Sequence, residues 1–329
     1  MTAAYTAARH SRTGRIARYA YAYMSLFVII LFFKNADVAS RWVSDGLALC
    51  ASRLIPSLFP FMVLSSLAVS SGLGTLLSRL AGAPLSALFG LSRECATPIV
   101  LGWLCGFPLG AKCASELYAK DRINHQEYER VLCICGTPSP AFLISAVGGS
   151  MLSDKKYGIW LYAISLASAI AVGIFLKLTS PVSHTPHVQP YEIHRRVPLA
   201  KCITGAVLDA LSGILCVCAF VVFFGAFLGV LDTALCRLSL PESVHSLIYC
   251  VFELTAGLSR ICKSGSPASL PLSALAVGWA GLSVHFQTMA ICASSGKAPK
   301  MRTYILSHVA RAAICFLLTL GANALIFRC

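Results

Sequence analysis

Long apolar stretches alternate with short basic loops along this chain, and the lengths of those stretches decide what each can do. Crossing a hydrocarbon core of about 30 Å as a helix takes about 20 apolar residues. Runs of that length occupy 46–71, 131–149, 158–178, 205–231, 270–291 and 303–327. A shorter run at 19–33 follows Arg9, Arg12, Arg15 and Arg18. Its length and basic flank also fit a signal-peptide core, with Val38, Ala39 and Ser40 as a small-residue cleavage site. A retained first helix is the expectation, because a polytopic chain needs no removable signal, and either reading leaves the N-terminus in the cytoplasm. Two further apolar segments, 98–111 and 247–258, are too short and glycine-rich to span comfortably.

Composition agrees with a bilayer environment. Of 329 residues 57% are hydrophobic and 12% charged, against roughly 45–50% and about 25% in soluble domains. Disorder is excluded as well, since low hydrophobicity is its signature. The 27 basic residues against 13 acidic ones give a net charge of +14 on a chain of mean hydropathy +0.74. No stretch is polar enough to be a basic, aromatic-interleaved nucleic-acid module, so no nucleic acid is expected as a partner. The lipid bilayer is.

Sorted by loop, the charge becomes a topological signal. If 98–111 and 247–258 both span, 12 of the 27 cations lie inside and 13 outside, with Arg53 and Arg311 within helices. If both are re-entrant, the division is 17 inside and 8 outside, as the positive-inside rule prefers. The run 46–71 then passes from outside to inside, and 205–231 passes from inside to outside. Each is followed by a re-entrant segment and two spans. Gly106 and Gly257 lie 151 residues apart, and Gly136 and Gly281 lie 145 apart, a spacing that marks an inverted repeat. The expected fold is an all-α polytopic membrane protein with two inverted-topology repeats, each carrying a re-entrant or broken helix, preceded by one N-terminal helix. Its segments are 1–45 (basic N-terminus and first helix), 46–178 (first repeat), 179–204 (cytoplasmic linker) and 205–329 (second repeat).

The fifteen cysteines mostly sit in apolar runs, where they behave as small hydrophobes. The pairs Cys133/Cys135 and Cys216/Cys218 are C-x-C, without ligands at zinc spacing. His184, His187 and His194 fall in the proline-rich linker, which reads as solvated chain. Nucleotide-binding, metalloprotease and serine-hydrolase motifs are absent. Neither an enzyme nor a cofactor is expected.

Non-helical backbone at membrane depth is tolerated only where protein or a wet cavity satisfies it, so helix-breaking residues point at a cavity. Four such clusters occur: 102–112, 135–140, 253–257 and 278–287. Broken helices offer positive dipole ends and free amides, which suit an anion. The candidate substrate-binding residues are Gly106, Pro108, Gly110, Lys112, Thr137, Ser139, Glu253, Thr255, Ser283, His285 and Gln287. Lys112 would add a full charge, and Glu253 or Glu116 could carry a proton. Arg53, one turn from Pro56, is balanced between structure and function. Arg311 is expected to balance a carboxylate, with Asp209 a possible partner.

At these residues the sequence resembles a known family. The run Arg53-Leu54-Ile55-Pro56-Ser57-Leu58-Phe59-Pro60-Phe61, GFPLGAK from Gly106 to Lys112, the helix start from Pro140 to Ile144, and AGLSVHFQ from Ala280 to Gln287 resemble the YlbJ family of sporulation integral membrane proteins. Four separated motifs in order cover most of 46–326. The resemblance implies a nucleoside-recognition Gate domain and a role in endospore formation. It implies movement of dipicolinic acid from the mother cell across the outer forespore membrane, with the N-terminus in the mother-cell cytoplasm. Where that family pattern places an Asn before the second break, this chain has Gly136-Thr137-Pro138-Ser139-Pro140, so no contact through an Asn amide carries over. A small anionic substrate, dipicolinate, is the partner so implied, with other sporulation membrane proteins or a homo-oligomer as further partners. The alternatives are a non-transporting membrane scaffold for sporulation proteins and a nucleoside-type transporter, the latter by fold analogy.

The re-entrant topology is tested by reporter fusions after Arg122 and after His187. Both should be fluorescent as GFP fusions and inactive as alkaline phosphatase fusions. Active phosphatase at both sites would show that the first short segment, 98–111, spans.

Overall fold

The computed structural model describes residues 19–20, 22–70, 73–180, 182, 199–238, 240–294 and 301–325. His184, His187 and His194 lie outside them, as do the four N-terminal arginines and the side chain of Arg53. The described residues are helical with irregular connections and contain no strand.

Helix α1 (Ala22–Lys34) turns by 91° into α2 (Ala36–Leu49). The Asn35 side-chain amide at the corner donates to the Leu31 carbonyl at 2.9 Å, satisfying the frayed helix end. At 1.5 Å per residue α1 is about 20 Å long, shorter than a bilayer core. α2 runs through a wide π turn, Cys50–Leu54, into α3 (Ile55–Ser70). Pro56 and Pro60 fall in or just after this stretch, and neither can donate a backbone hydrogen bond. α2 and α3 pack on α10 (Leu199–Leu235), whose 37 residues reach about 55 Å and overshoot the bilayer. Leu54, Met62, Ile214, Val217 and Val221 form the apolar seam between them.

The rest of the chain uses one sequence of elements twice. In the first half, after the short helices α4 (Leu73–Leu80) and α5 (Gly82–Phe89), come α6 (Ala96–Cys105) and α7 (Leu109–Ala119), folded against each other. They are followed by α8 (His125–Cys135), a break at 136–139, a wide π helix Ala141–Met151, and α9 (Lys155–Thr179). In the second half α11 (Glu242–Phe252) and α12 (Leu254–Lys263) form the hairpin. α13 (Ser269–Trp279), a break at 280–281, α14 (Leu282–Ser294) and α15 (Met301–Leu325) follow. Each hairpin arm has 10 or 11 residues, about 15–17 Å, roughly half of a bilayer core.

The two halves interlock. The π helix packs on α12 of the other half, and α14 packs on α7; α8 meets α15, and α13 meets α9. One apolar core therefore joins Phe89, Ile99, Tyr128 and Leu132 to Cys292 and Tyr304, and another joins Leu143, Val147 and Leu161 to Leu254, Leu258 and Val277. Among the described residues four helical stretches are long and apolar enough to cross a membrane: 155–179, 200–233, 269–293 (taken across its break) and 301–322. The chain is an all-α polytopic integral membrane protein. The stretch 131–149 is not one straight helix, because Pro138 and Pro140 interrupt its hydrogen-bond ladder as the sequence anticipated. All fourteen described cysteines are free, nine of them buried.

Close helix approach rests on small residues, as in other bilayer proteins. A Cβ at Gly102 would lie 2.2 Å from the Cys135 carbonyl oxygen, and one at Gly278 would lie 2.5 Å from the Ala312 Cα. Nothing lies within 4 Å at Gly205 or Gly225. Gly102→Ala should therefore lower stability by about 1–3 kcal/mol, whereas Gly205→Ala should be neutral or slightly stabilising. Thermal unfolding in one detergent distinguishes them; equal midpoints would contradict the packing.

Candidate functional site

The four breaks meet in pairs. At Gly106 the backbone adopts φ 76°, ψ −167°, a conformation open in practice to glycine alone. A Cβ there would sit 2.5 Å from the Ser139 nitrogen, so the first hairpin turn rests directly on the second break. The Phe107 N–H donates to the Thr137 carbonyl at 3.1 Å, and the Thr137 hydroxyl donates to the Gly102 carbonyl at 3.1 Å. Ser139 Oγ accepts from the Phe142 amide at 3.2 Å, capping the π helix. The second half repeats the arrangement with other groups. Gly281 (φ 86°) places its α-carbon where a Cβ would lie 3.0 Å from the Leu254 nitrogen, so the fourth break rests on the third. Glu253, 2% exposed, caps α12 by accepting from the Thr255 amide at 3.0 Å and the Ala256 amide at 2.6 Å.

Between these breaks and the α2–α3–α10 unit lies a partly open cavity of about 510 Å³. Phe107, Pro138, Ser139 and Phe142 come to it from the first half, and Glu253, Leu254, Thr255, Ser283, Val284 and Gln287 from the second. Leu54, Leu58, Val217 and Val221 close the remaining side. A second cavity of about 220 Å³ lies on the other side of Phe107, lined by Gly106, Pro108, Gly110, Gly136, Thr288 and Tyr304 among others. Phe107 borders both.

The candidates thus divide into three groups. Ser139, Glu253, Thr255, Ser283 and Gln287 line the larger cavity; Gly106, Pro108 and Gly110 line the smaller one. Lys112, Thr137 and His285 line neither. Lys112 lies in the first turn of α7 and pairs with Asp209 of α10 at 3.2 Å. Asp209 also accepts from Ser66 at 3.2 Å, so it is not the partner of Arg311. Thr137 is wholly buried, stapling hairpin to break. His285 is packed among Trp279, Tyr304 and His308.

The cavity is rich in hydrogen-bonding groups. Ser283, wholly buried at the start of α14, has an Oγ with no partner among the described residues. The Gln287 amide makes no hydrogen bond there either. An anion can use such donors together with the α14 terminus. The terminus of α12 is different: its first amides are already held by the carboxylate of Glu253.

One partnership escaped the sequence. Arg311 is wholly buried, and its guanidinium donates to the carbonyl of Gly136 in the second break. Tyr304, His308 and Arg311 recur at i, i+4 and i+7, so they share one face of α15. That polar stripe inside an apolar run was the available signal.

Comparison with known proteins agrees with the motifs. The chain is 24% identical over 303 residues to the sporulation integral membrane protein YlbJ of Bacillus subtilis (strain 168), covering 81% of this chain and 73% of that protein. The resemblance drawn from the four motifs is borne out by this alignment. No protein-family model and no solved structure matches.

Removing the Glu253 cap leaves two buried amides without acceptors. Glu253→Ala should lower stability by about 1–2 kcal/mol, and Glu253→Gln, which can keep one of the two bonds, by less. Thermal unfolding of both variants checks the order, and an unchanged midpoint for Glu253→Ala would refute the capping role.

Proposed function

We propose that this YlbJ-like membrane protein is a secondary transporter or facilitator of a small organic anion, with dipicolinate as substrate, acting in the outer forespore membrane during sporulation. The observation that carries the reading is the convergence of helix breaks from both halves on one cavity. Backbone is left unwound inside a bilayer where it serves a ligand. The repeated element order supports two repeats, 46–178 and 205–329, of inverted topology about the 179–204 linker. The N-terminus is then in the mother-cell cytoplasm.

The lining suits a flat aromatic carboxylate. Phe107, Pro138 and Phe142 offer apolar faces, and the hydroxyls of Ser139 and Ser283 and the amide of Gln287 offer donors, while the Thr255 hydroxyl donates to the Glu253 carboxylate. Glu253 presents a carboxylate to the same space, but its oxygens are engaged by the amides of α12, which reduces its repulsion of an anion. Lys112 contributes from outside the cavity, through its bond to Asp209 across the α7–α10 contact.

Purified protein in liposomes should take up labelled dipicolinate saturably, and a pH gradient should change the rate. Ser283→Ala combined with Gln287→Ala should lower uptake about 10–100-fold, the worth of one or two hydrogen bonds to a charged group. In a spore former lacking the gene, spores should be poor in dipicolinate with intact cortex and coat. Normal dipicolinate content together with no uptake in liposomes would sink the proposal.

A further inference from the structure

Arg311 is the most exceptional side chain in the molecule. It has no measurable exposure and is the largest of the fully buried residues. Its Nη1 bonds to the Gly136 carbonyl, but Nε and Nη2 have no partner. No carboxylate lies within ion-pair distance of it among the described residues. The titratable groups that act on it are the thiols of Cys133, Cys135 and Cys315 and the phenol of Tyr304, with His308 and His285 beside them. All are neutral or basic. Burying a guanidinium without a counter-charge costs several kcal/mol, and the two acids described above are committed elsewhere: Asp209 to Lys112, and Glu253 to its helix cap.

The hydrogen-bond chain fixes where the neighbouring protons sit. Thr288 donates to the Val284 carbonyl at 3.0 Å, so it accepts from the Tyr304 hydroxyl at 3.3 Å. Tyr304 in turn accepts from His285 Nδ1 at 3.2 Å, which places that imidazole's proton on Nδ1. His308 Nδ1 faces the Gly278 carbonyl at 3.4 Å and must donate to it. Both histidines are therefore left with a bare Nε2, buried and without a partner. Their rings lie 4.8 Å apart at 71°. The Nε2 of His308 faces the second break: a Cβ placed on Gly136 would lie 3.4 Å from it. Gly136, Tyr304 and Thr288 all line the smaller cavity. One positive charge and two bare imidazole nitrogens thus stand one layer behind its wall, Arg311 and His308 against Gly136 and His285 against Tyr304.

We propose that Arg311 and His308 form a proton-coupled carboxylate site behind Gly136: Arg311 takes one carboxylate, and His308 Nε2 takes one proton with it. The carboxylate supplies the counter-charge that the guanidinium lacks. Before it arrives, a second positive charge at His308 is opposed by Arg311; after it arrives, that opposition is cancelled and the bare nitrogen can accept a proton from the aqueous side. His285, held by Tyr304, is the alternative acceptor. Ligand and proton bind together, and a dianion is left with both its charges met. This refines the proposed transport of an organic anion by naming its charge anchor and coupling ion, and it rests on that reading only for the identity of the ligand.

The test is calorimetric titration of the full-length protein in detergent with benzoate and with dipicolinate, in two buffers of different ionisation enthalpy. Wild type should bind both anions and take up close to one proton per anion at neutral pH. Arg311→Lys, which keeps the charge and loses the fork, should weaken both at least tenfold. His308→Asn, which can still donate to Gly278, should bind the anions but lose the proton uptake. Gly136→Ala, allowed by its φ of −76°, should weaken binding by standing between the ligand and His308 while leaving the unfolding temperature nearly unchanged. If Arg311→Lys does not fold, His308→Asn and Gly136→Ala decide. Arg311-dependent benzoate binding without dipicolinate binding would leave this site standing and remove the proposed substrate. Dipicolinate transport unaffected by all three variants, anion binding without proton uptake, or no binding of either anion by folded wild type would each overturn the site.

Discussion

Inside a bilayer every N–H and C=O needs a partner within the protein, because lipid offers none. Among the described residues this chain interrupts its helices at four places and meets that demand by setting the interruptions against one another. The turn at Gly106 lies on the nitrogen of Ser139 and donates through Phe107 to Thr137; Gly281 lies on Leu254 and Glu253 caps α12. No break could be kept without its neighbour. The cavity between them follows from a backbone requirement, and the side chains that line it are those that happen to project from satisfied breaks.

The same constraint accounts for the interlocked halves. The π helix packs on α12 and α14 on α7, so each half closes over the hairpin of the other. The two large apolar cores each draw residues from both halves, and neither half has a complete core of its own.

What could be read from the sequence follows from whether a property is local. Apolar run lengths, helix breaks and the two half-length hairpins are local, because Gly106, Pro138 and Gly281 act on the backbone at their own positions. The cavity-lining roles of Ser139, Thr255, Ser283 and Gln287 followed from the same logic. Partnerships were not legible. Lys112 was expected in the site and bonds to Asp209, some 97 positions away in sequence, on a helix of the other half. Arg311 was expected to meet Asp209 and instead holds the Gly136 carbonyl. Which face of α7 or α15 meets which neighbour depends on the interlocking, and no periodicity within one helix contains it. Thr137 looked like a ligand group because it sits in a break, yet its hydroxyl is consumed in holding that break to Gly102.

The contacts around Gly102, Gly106 and Gly110 join backbone to backbone at distances that leave no room for a methyl group. The first hairpin and the second break are therefore welded, and any displacement carries them as one block. The opposite wall of the cavity is made by Leu54, Leu58, Val217 and Val221, side chains that touch the core without hydrogen bonds, across a boundary pinned by the Lys112–Asp209 bond. Such a boundary is held by shape and by one charged bond, whereas the hairpin and the break it faces are held by backbone contacts that tolerate no added atom.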